Sequence, residues 1–361
     1  MTLRPNTLTL ATALAALLTL SVPLTACAQT RADAEARRPS PLPAMGAGSF
    51  ALIGDTPYGA ALEPKFDRVI ADINAHHERV RFVLHTGDIK SGSERCDDDL
   101  LQHRFNQFQQ LRMAFILTPG DNEWTDCHRS NNGGYLPTER LARLRQIFFA
   151  EPGISTGGRK VRVQTQAWQA GHEAFVENTM WPFGGALIGT VHVVGSNNDL
   201  APWNQIDPGD TVNTPRADRL AEFQAREAAN LAWIDRIFDE AERSRAAGVL
   251  IAMQANPNFE LAPSHPERKG FNAIIDKLTA RAIAFRKPVV IAHGDSHYFR
   301  VDKPLNGPTS DNSGAQMLEN VTRVENFGSQ HVHWVEVEVD ARDENVFRFR
   351  PHLIEANRFA R

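Results

Sequence analysis

The sequence predicts an α/β fold, and three observations carry that expectation. Short apolar, β-branched runs alternate with stretches whose apolar residues recur at helical spacing, the order that implies parallel strand pairing. Several of these runs end in a glycine followed by an oxygen- or imidazole-bearing side chain: Phe50-Ala-Leu-Ile-Gly54-Asp55, Leu84-His85-Thr86-Gly87-Asp88, Phe115-Ile-Leu-Thr-Pro-Gly120-Asp121-Asn122-Glu123 and Val289-Val-Ile-Ala-His293-Gly294-Asp295-Ser296-His297. The composition, 42% hydrophobic and 23% charged over 361 residues, describes a chain that can bury a sizeable core. A net charge of -4 gives no electrostatic case for nucleic acid as a partner.

Residues 1–27 stand apart from that fold. Arg4 opens a short basic region, and 8–24 is an apolar stretch rich in Ala, Leu and Thr. It is too short for a membrane span with ordinary flanks and reads as a secretory signal. Leu24-Thr25-Ala26-Cys27 resembles the lipobox of bacterial lipoproteins, which makes Cys27 the expected lipidation site; cleavage after small residues without lipid is the alternative. The expected location is therefore the cell envelope, periplasmic or anchored to the outer membrane, with the lipid as the only membrane contact. Residues 28–48 are rich in Ala, Arg, Pro and Ser and poor in large apolar residues, the composition of a disordered tether. A single domain is expected over 49–361.

Within it, the strand at Phe50 is followed by a helix over 62–76, with Phe66, Val69, Ile70 and Ile73 on one face, and then by the strand 80–84. A helix over 100–113 leads to the strand at Phe115. Thr138 is a candidate cap for a helix to 149, inside Gly- and Asn-rich surroundings. A strand over 187–194 ends in Gly195-Ser196-Asn197-Asn198, and a long helix over 214–245 carries Trp233 and Ile237 on its apolar face. After it come a strand (249–253), a helix (271–285) and the strand leading to His293. The tail segments 331–340 and 345–352 alternate apolar and polar residues and read as an antiparallel pair.

A single strand-glycine-aspartate segment is ordinarily a plain turn. Four of them, all bearing hard-ligand types, point elsewhere, because ligands of open α/β sheets bind at strand carboxyl ends. Carboxylates converging in such a cleft repel one another, so a positive group must sit among them, and a divalent metal is the economical choice.

The order of these segments resembles the calcineurin-like metallophosphoesterase family over roughly 50–352. That family is marked by Asp-x-His, Gly-Asp, Gly-Asn-His, an isolated His and Gly-His-x-His, each after a strand. The resemblance implies a four-layer αββα sandwich of two mixed β-sheets flanked by helices. It implies Asp88 as a bridging ligand, Asp55 and His297 on a first metal, and Asn122 on a second. The departures are specific. Pro57 stands in place of the first histidine, Gln254 in place of the isolated one, and Asp295 in place of the first histidine of the last motif. In Gly120-Asp121-Asn122-Glu123 either Asp121 or Asn122 faces the metal, and Glu123 takes the place of the family's catalytic histidine.

These exchanges replace nitrogen by oxygen, which favours Mn, Mg or Fe over Zn, with Ca as an option, and one or two ions. The implied activity is hydrolysis of a small-molecule phosphomonoester or phosphodiester by a metal-activated water, with His128 or His293 as general acid. The rival is an envelope lipoprotein that keeps the fold as a binding or structural module. Tyr58, Lys90, Asn197 and Asn198 are candidate substrate contacts, each with a bland alternative in packing, solvation or turn capping. His85 reads as a packed histidine before it reads as a ligand. With Cys27 used in processing, Cys96 and Cys127 remain, each just beyond a ligand motif, and are expected to form a disulfide. Oligomeric state is not encoded in any pattern found.

Overall fold

The computed structural model describes residues 1–2, 46–308 and 314–358. The signal sequence, Cys27 and nearly all of the tether lie outside the described residues. The expected helices are found as α1 (Glu63–Ala75), α2 (Asp98–Phe108), α3 (Pro137–Phe148), α4 (Ala217–Arg243) and α5 (Asn272–Phe285). Helix α2 starts earlier than its apolar pattern suggests, since Asp98 and Asp99 in its first turn complement the helix dipole. Helix α3 opens on Pro137, whose fixed φ and missing N–H suit a first helical position.

Two sheets carry the fold. The strands of the first are β1 (Gly48–Ile53), β2 (Val80–His85), β3 (Ala114–Leu117), β4 (Thr156–Gly157), β14 (Trp334–Val339) and β15 (Phe347–His352), in the order β15-β14-β1-β2-β3-β4. β1, β2 and β3 are parallel, as their intervening helices require, and the tail pair β14–β15 joins them antiparallel. The second sheet runs β10-β13-β9-β8-β7-β6-β5. It comprises β5 (Gln164–Thr165), β6 (Thr179–Phe183), β7 (Ala186–Thr190), β8 (Val249–Ala252), β9 (Val289–His293), β10 (Arg300–Asp302) and β13 (Val321–Glu325). Here β7, β8, β9 and β13 are parallel. A small hairpin, β11 (Asn306–Pro308) with β12 (Ala315–Met317), lies outside both sheets.

The period-2 pattern of each strand sorts its side chains into layers. From β1, Phe50 and Leu52 pack with Phe82 and Leu84 of β2 against Trp181, Ile188, Leu250 and Val290 of the other sheet, forming a core between the sheets. Ala51 and Ile53 face the other way, onto Phe66, Val69, Phe108 and Leu144 of α1, α2 and α3. On the far side of the second sheet, Ile251 and Ile291 meet Ile234, Ile237 and Phe238 of α4 and Ile274 and Leu278 of α5. The layers are thus helix, sheet, sheet, helix, the αββα sandwich expected. Each fully buried Phe, Leu or Ile contributes roughly 1.5–3 kcal/mol relative to exposure. That burial makes two rigid platforms whose parallel strands all end at one rim.

Candidate metal centre

The site is built where those parallel strands end. β1 delivers Asp55, β2 delivers Asp88 and β3 leads to Asp121, Asn122 and Glu123. From the second sheet, β7 leads to Ser196, β8 to Gln254 and β9 to Asp295 and His297. The backbone there is unusual. Asp55, Asp88, Asp295 and His297 have φ of 51, 59, 80 and 60°, the left-handed region that costs an L-residue roughly 1–2 kcal/mol. Such strain persists where the surroundings fix it, and it clusters at functional sites. Two glycines make room for the acids. A Cβ on Gly120 would lie 2.0 Å from Asp88 Oδ1, and one on Gly294 would lie 2.0 Å from Asp55 Oδ2.

Asp88, Asp121 and Asp295 bring side-chain oxygens within 4.8 Å of one another. Asp88 Oδ2 accepts from Tyr58 Oη at 2.9 Å and from Asn122 Nδ2 at 2.7 Å, and Oδ1 accepts from the Asn122 backbone N–H at 3.2 Å. Asp121 Oδ2 accepts from Ser196 Oγ at 2.8 Å. Asp295 is held by the Gln254 amide at 3.2 Å and the Asn256 N–H at 3.0 Å. Asp55 Oδ1 accepts from the Asp295 N–H at 2.9 Å, which ties the first sheet to the second. Glu123 clamps two loops, its Oε1 accepting from the N–H groups of Gly120 at 2.6 Å and Asp88 at 3.2 Å, while its Oε2 is buried without a partner.

Burial and mutual repulsion act together on these carboxyls. Asp88 is pushed well above the ordinary carboxylate range by desolvation, then by the charges of Asp121, Glu123, Asp55 and Asp295. Asp295 is raised for the same reasons, burial first and then Asp121 and Asp55. Burial also lifts Asp121, and raises Glu123 and Asp126 to about 7. For His297, burial opposes protonation, but its contact with Asp55 Oδ1 at 3.5 Å outweighs it and the pKa is raised.

The other expected site residues lie in varied surroundings. In the third motif it is Asp121 that joins the carboxylate cluster, while Asn122 donates its amide to Asp88. Gln254 sits at the end of β8 with its Oε1 accepting from the Gly195 N–H at 2.6 Å. The Tyr58 ring packs edge-on against His297, with centroids 5.3 Å apart, and its hydroxyl is bonded to Asp88 and Asn122. Lys90 is buried, and its ammonium donates to the Ser91 and Glu94 carbonyls, both at 2.9 Å. Asn197 and Asn198 spend their amides on the Pro266 and Gly270 carbonyls, and Asn198 is fully buried behind the site. His85 is packed among Phe108 and Phe115, its nitrogens bonded to the Thr56 carbonyl and the Gly87 N–H.

The two histidines expected as general acids are unsuited to that task. Desolvation pushes His128 down to about 4 and His293 to about 3, so both are neutral near pH 7. His293 is buried with Nε2 unpartnered, against Phe259 rather than the acids. His128 lines a cavity of about 250 Å³ with Asp126, Arg129, Ser196, Trp203 and Gln205. That cavity adjoins the cluster, because Ser196 Oγ lies 2.9 Å from Asp126 Oδ1 as well as 2.8 Å from Asp121. Cys96 and Cys127 form the expected disulfide, joining the loop after β2 to the loop after β3.

Asp126 and Ser196 were not singled out as ligand-site residues by sequence reasoning. A signal was present for Ser196: β7, Gly195 and then a hydroxyl repeats the strand-glycine-oxygen pattern of the four named segments. The donor set suits a hard divalent cation. It offers converging carboxylate oxygens, an orphaned Glu123 oxygen nearby and glycines that keep the cradle open.

No family model and no curated protein matches this sequence. Solved structures do resemble it at low identity. GAP50, the anchor in the inner membrane complex of Plasmodium, aligns at 10% identity and TM-score 0.40, over 86% of this chain and 90% of its own. TT1561 of Thermus thermophilus aligns at 9% and 0.40, over 84% and 99%. The phosphopantetheinyl hydrolase PptH of Mycobacterium tuberculosis aligns at 13% and 0.44, over 78% and 89%.

Proposed function

We propose that the chain hydrolyses phosphoric esters at the rim where its two sheets end, with a divalent cation held by Asp88, Asp121 and Asp295. The observation that carries this reading is the convergence of those three carboxylates, from both sheets, within 4.8 Å. Bound there, a divalent cation withdraws charge from phosphoryl oxygens and lowers the pKa of water toward neutrality. The chain's own groups do the rest. Ser196 and Gln254 orient Asp121 and Asp295, and Tyr58 and Asn122 orient Asp88. His297, partly open to solvent and with its pKa raised by Asp55, supplies the proton for the leaving oxygen. The cavity beside Asp126 and His128 receives the remainder of the ester.

An all-oxygen donor set favours Mn or Mg, with Fe ahead of Zn. Export with a lipid on Cys27 belongs to the same proposal, and intact-mass analysis of the mature N-terminus tests it: a protein starting at unmodified Gln29 would show simple cleavage instead. For the activity, the decisive measurement is metal content with turnover of a phosphomonoester and phosphodiester panel, for wild type beside Asp88→Asn. Turnover dependent on added Mn²⁺ or Mg²⁺, lost by orders of magnitude in the variant, is expected. A variant that keeps its metal and most of its turnover would sink the reading.

A further inference from the structure

The acids at the strand ends form two groups that differ in what faces them. Asp55 is supplied by its own chain: Oδ1 accepts from the Asp295 N–H at 2.9 Å and lies 3.5 Å from His297 Nε2, and Oδ2 accepts from Asn326 Nδ2 at 3.2 Å. Asp88, Asp121 and Asp295 converge with no direct ion pair to any of them among the described residues. Two neighbouring cations are engaged elsewhere, Arg129 with Asp126 at 2.7 Å and Lys90 with two carbonyl oxygens.

Asp88 belongs to the second group, and its lone pairs can be counted. A carboxylate oxygen offers two acceptor positions. Both on Oδ2 are taken, by Tyr58 Oη at 2.9 Å and Asn122 Nδ2 at 2.7 Å, and the Asn122 N–H takes one on Oδ1 at 3.2 Å. Tyr58 and Asn122 are themselves joined at 2.9 Å, so the two donors form one braced unit. What remains on Asp88 is one position, enough for a single ligand bond. We infer that the pocket takes one divalent cation, on Asp88, Asp121 and Asp295, and that Tyr58, Asn122 and His297 occupy the place of a second. This inference rests on the reading of the cluster as a metal site, and it assigns to Tyr58 and Asn122 the role of positioning residues that set the stoichiometry.

The test is a titration of the metal-free full-length protein with Mn²⁺, counting bound ions from the loss of the free-ion EPR signal. One equivalent is expected, with the bound ion magnetically isolated. Two equivalents of comparable affinity, or a spin-coupled pair, would overturn the inference while leaving the phosphoesterase reading intact. Failure of the protein to bind Mn²⁺ at all would remove that reading and this inference together. Replacing the braced pair by Tyr58→Phe with Asn122→Asp frees Asp88 Oδ2 and adds a carboxylate. That double variant, checked for folding by circular dichroism, is expected to bind a second equivalent. If it folds and stays at one, Tyr58 and Asn122 do not set the number.

Discussion

Two of the buried acid clusters among the described residues are built on opposite principles. At Glu177 the carboxylate is fully buried but answered: Arg145 donates to it at 2.5 and 3.0 Å from α3, and His192 Nδ1 lies 2.7 Å away. Burial works to raise its pKa, yet Arg145 and His192 hold it well below the usual carboxylate range. At the strand ends, burial has the same sign but the neighbours are other acids, so Asp88 and Asp295 are driven upward. The first arrangement fixes the fold, joining α3, β6 and the end of β7. The second is left uncompensated, and an uncompensated buried charge is what a cation can answer.

The sharpest way to break this comparison is to neutralise one acid in each cluster. Glu177→Gln leaves the Arg145 guanidinium facing a neutral amide inside the protein, and removal of one partner of a buried pair costs about 3–5 kcal/mol. Asp121→Asn removes one member of a repelling group, so the metal-free protein should be as stable as wild type or more so, while metal binding and turnover are lost. Thermal unfolding of both variants with and without Mn²⁺ measures this. Equal destabilisation by the two substitutions would erase the distinction between the clusters.

Acidity should separate them next. For Glu123 and Asp126, raised to about 7 from the ordinary range near 4, the folded state binds protons more tightly than the unfolded one. Their contribution is therefore present at low pH and lost as pH climbs from about 4.5 through 7. His297, raised by Asp55, adds a loss of the same sign as it deprotonates. Glu177 works in reverse: its contribution is present above the unfolded pKa near 4.5 and is lost on acidification. The buried histidines work the other way: His85, His128 and His293, pushed down to about 4, 4 and 3, add stability as pH rises from 5 through the unfolded histidine pKa near 6.5. The slope due to the acids is therefore read as the difference between wild type and a Glu123→Gln, Asp126→Asn variant, and between pH 5 and 8 metal-free wild type should lose on the order of 1–3 kcal/mol relative to that variant. Saturating Mn²⁺ should flatten or invert that slope, since the ion binds the deprotonated carboxylates. A metal-free wild type that gains stability relative to the variant across this range would contradict the electrostatics described for the site.

Much of the fold was legible because it depends on local pattern. The strands ending at Asp55, Asp88, Asp121 and Asp295 announce themselves by an apolar run and a glycine, and α1 and α4 by their apolar faces. The layer order followed from the family resemblance and is found in the packing. What stayed hidden depends on residues far apart in sequence. No pattern around Pro57 shows that the Tyr58 hydroxyl will cross to Asp88, thirty positions on, because the loop after β1 reaches the end of β2 only in the folded sheet. β13 is short and follows a turn-rich stretch, and it is a strand because β9 accepts it as a parallel neighbour. β5 and β6 likewise sit in a Gly- and Asn-rich region where propensity is weak and pairing decides. The pKa directions of His128 and His293 come from burial, which their immediate sequence does not encode.

The smallest contrast lies inside a single turn, and it tests whether the strain there serves the site or the packing. Ser196, Asn197, Asn198 and Asp199 have φ of 51, 56, 55 and 66°, so the chain makes a left-handed turn without a glycine among them. Glycine relieves that cost at either end, roughly offset by its own conformational entropy. At Asn198 the exchange also removes an amide that accepts from Arg226 and donates to the Gly270 carbonyl at 2.9 Å, both buried. Asn198→Gly should therefore cost about 1–3 kcal/mol, with turnover per folded molecule unchanged. At Ser196 the lost group is the hydroxyl shared by Asp121 and Asp126 at 2.8 and 2.9 Å. Ser196→Gly should leave the melting temperature of the metal-free protein nearly where it was, yet weaken Mn²⁺ binding by about 10- to 100-fold, the usual penalty for losing a group that orients a ligand. If instead Ser196→Gly destabilises the fold and leaves Mn²⁺ affinity unaltered, the turn is a packing device throughout, and Asp121 is positioned by something other than the Ser196 hydroxyl.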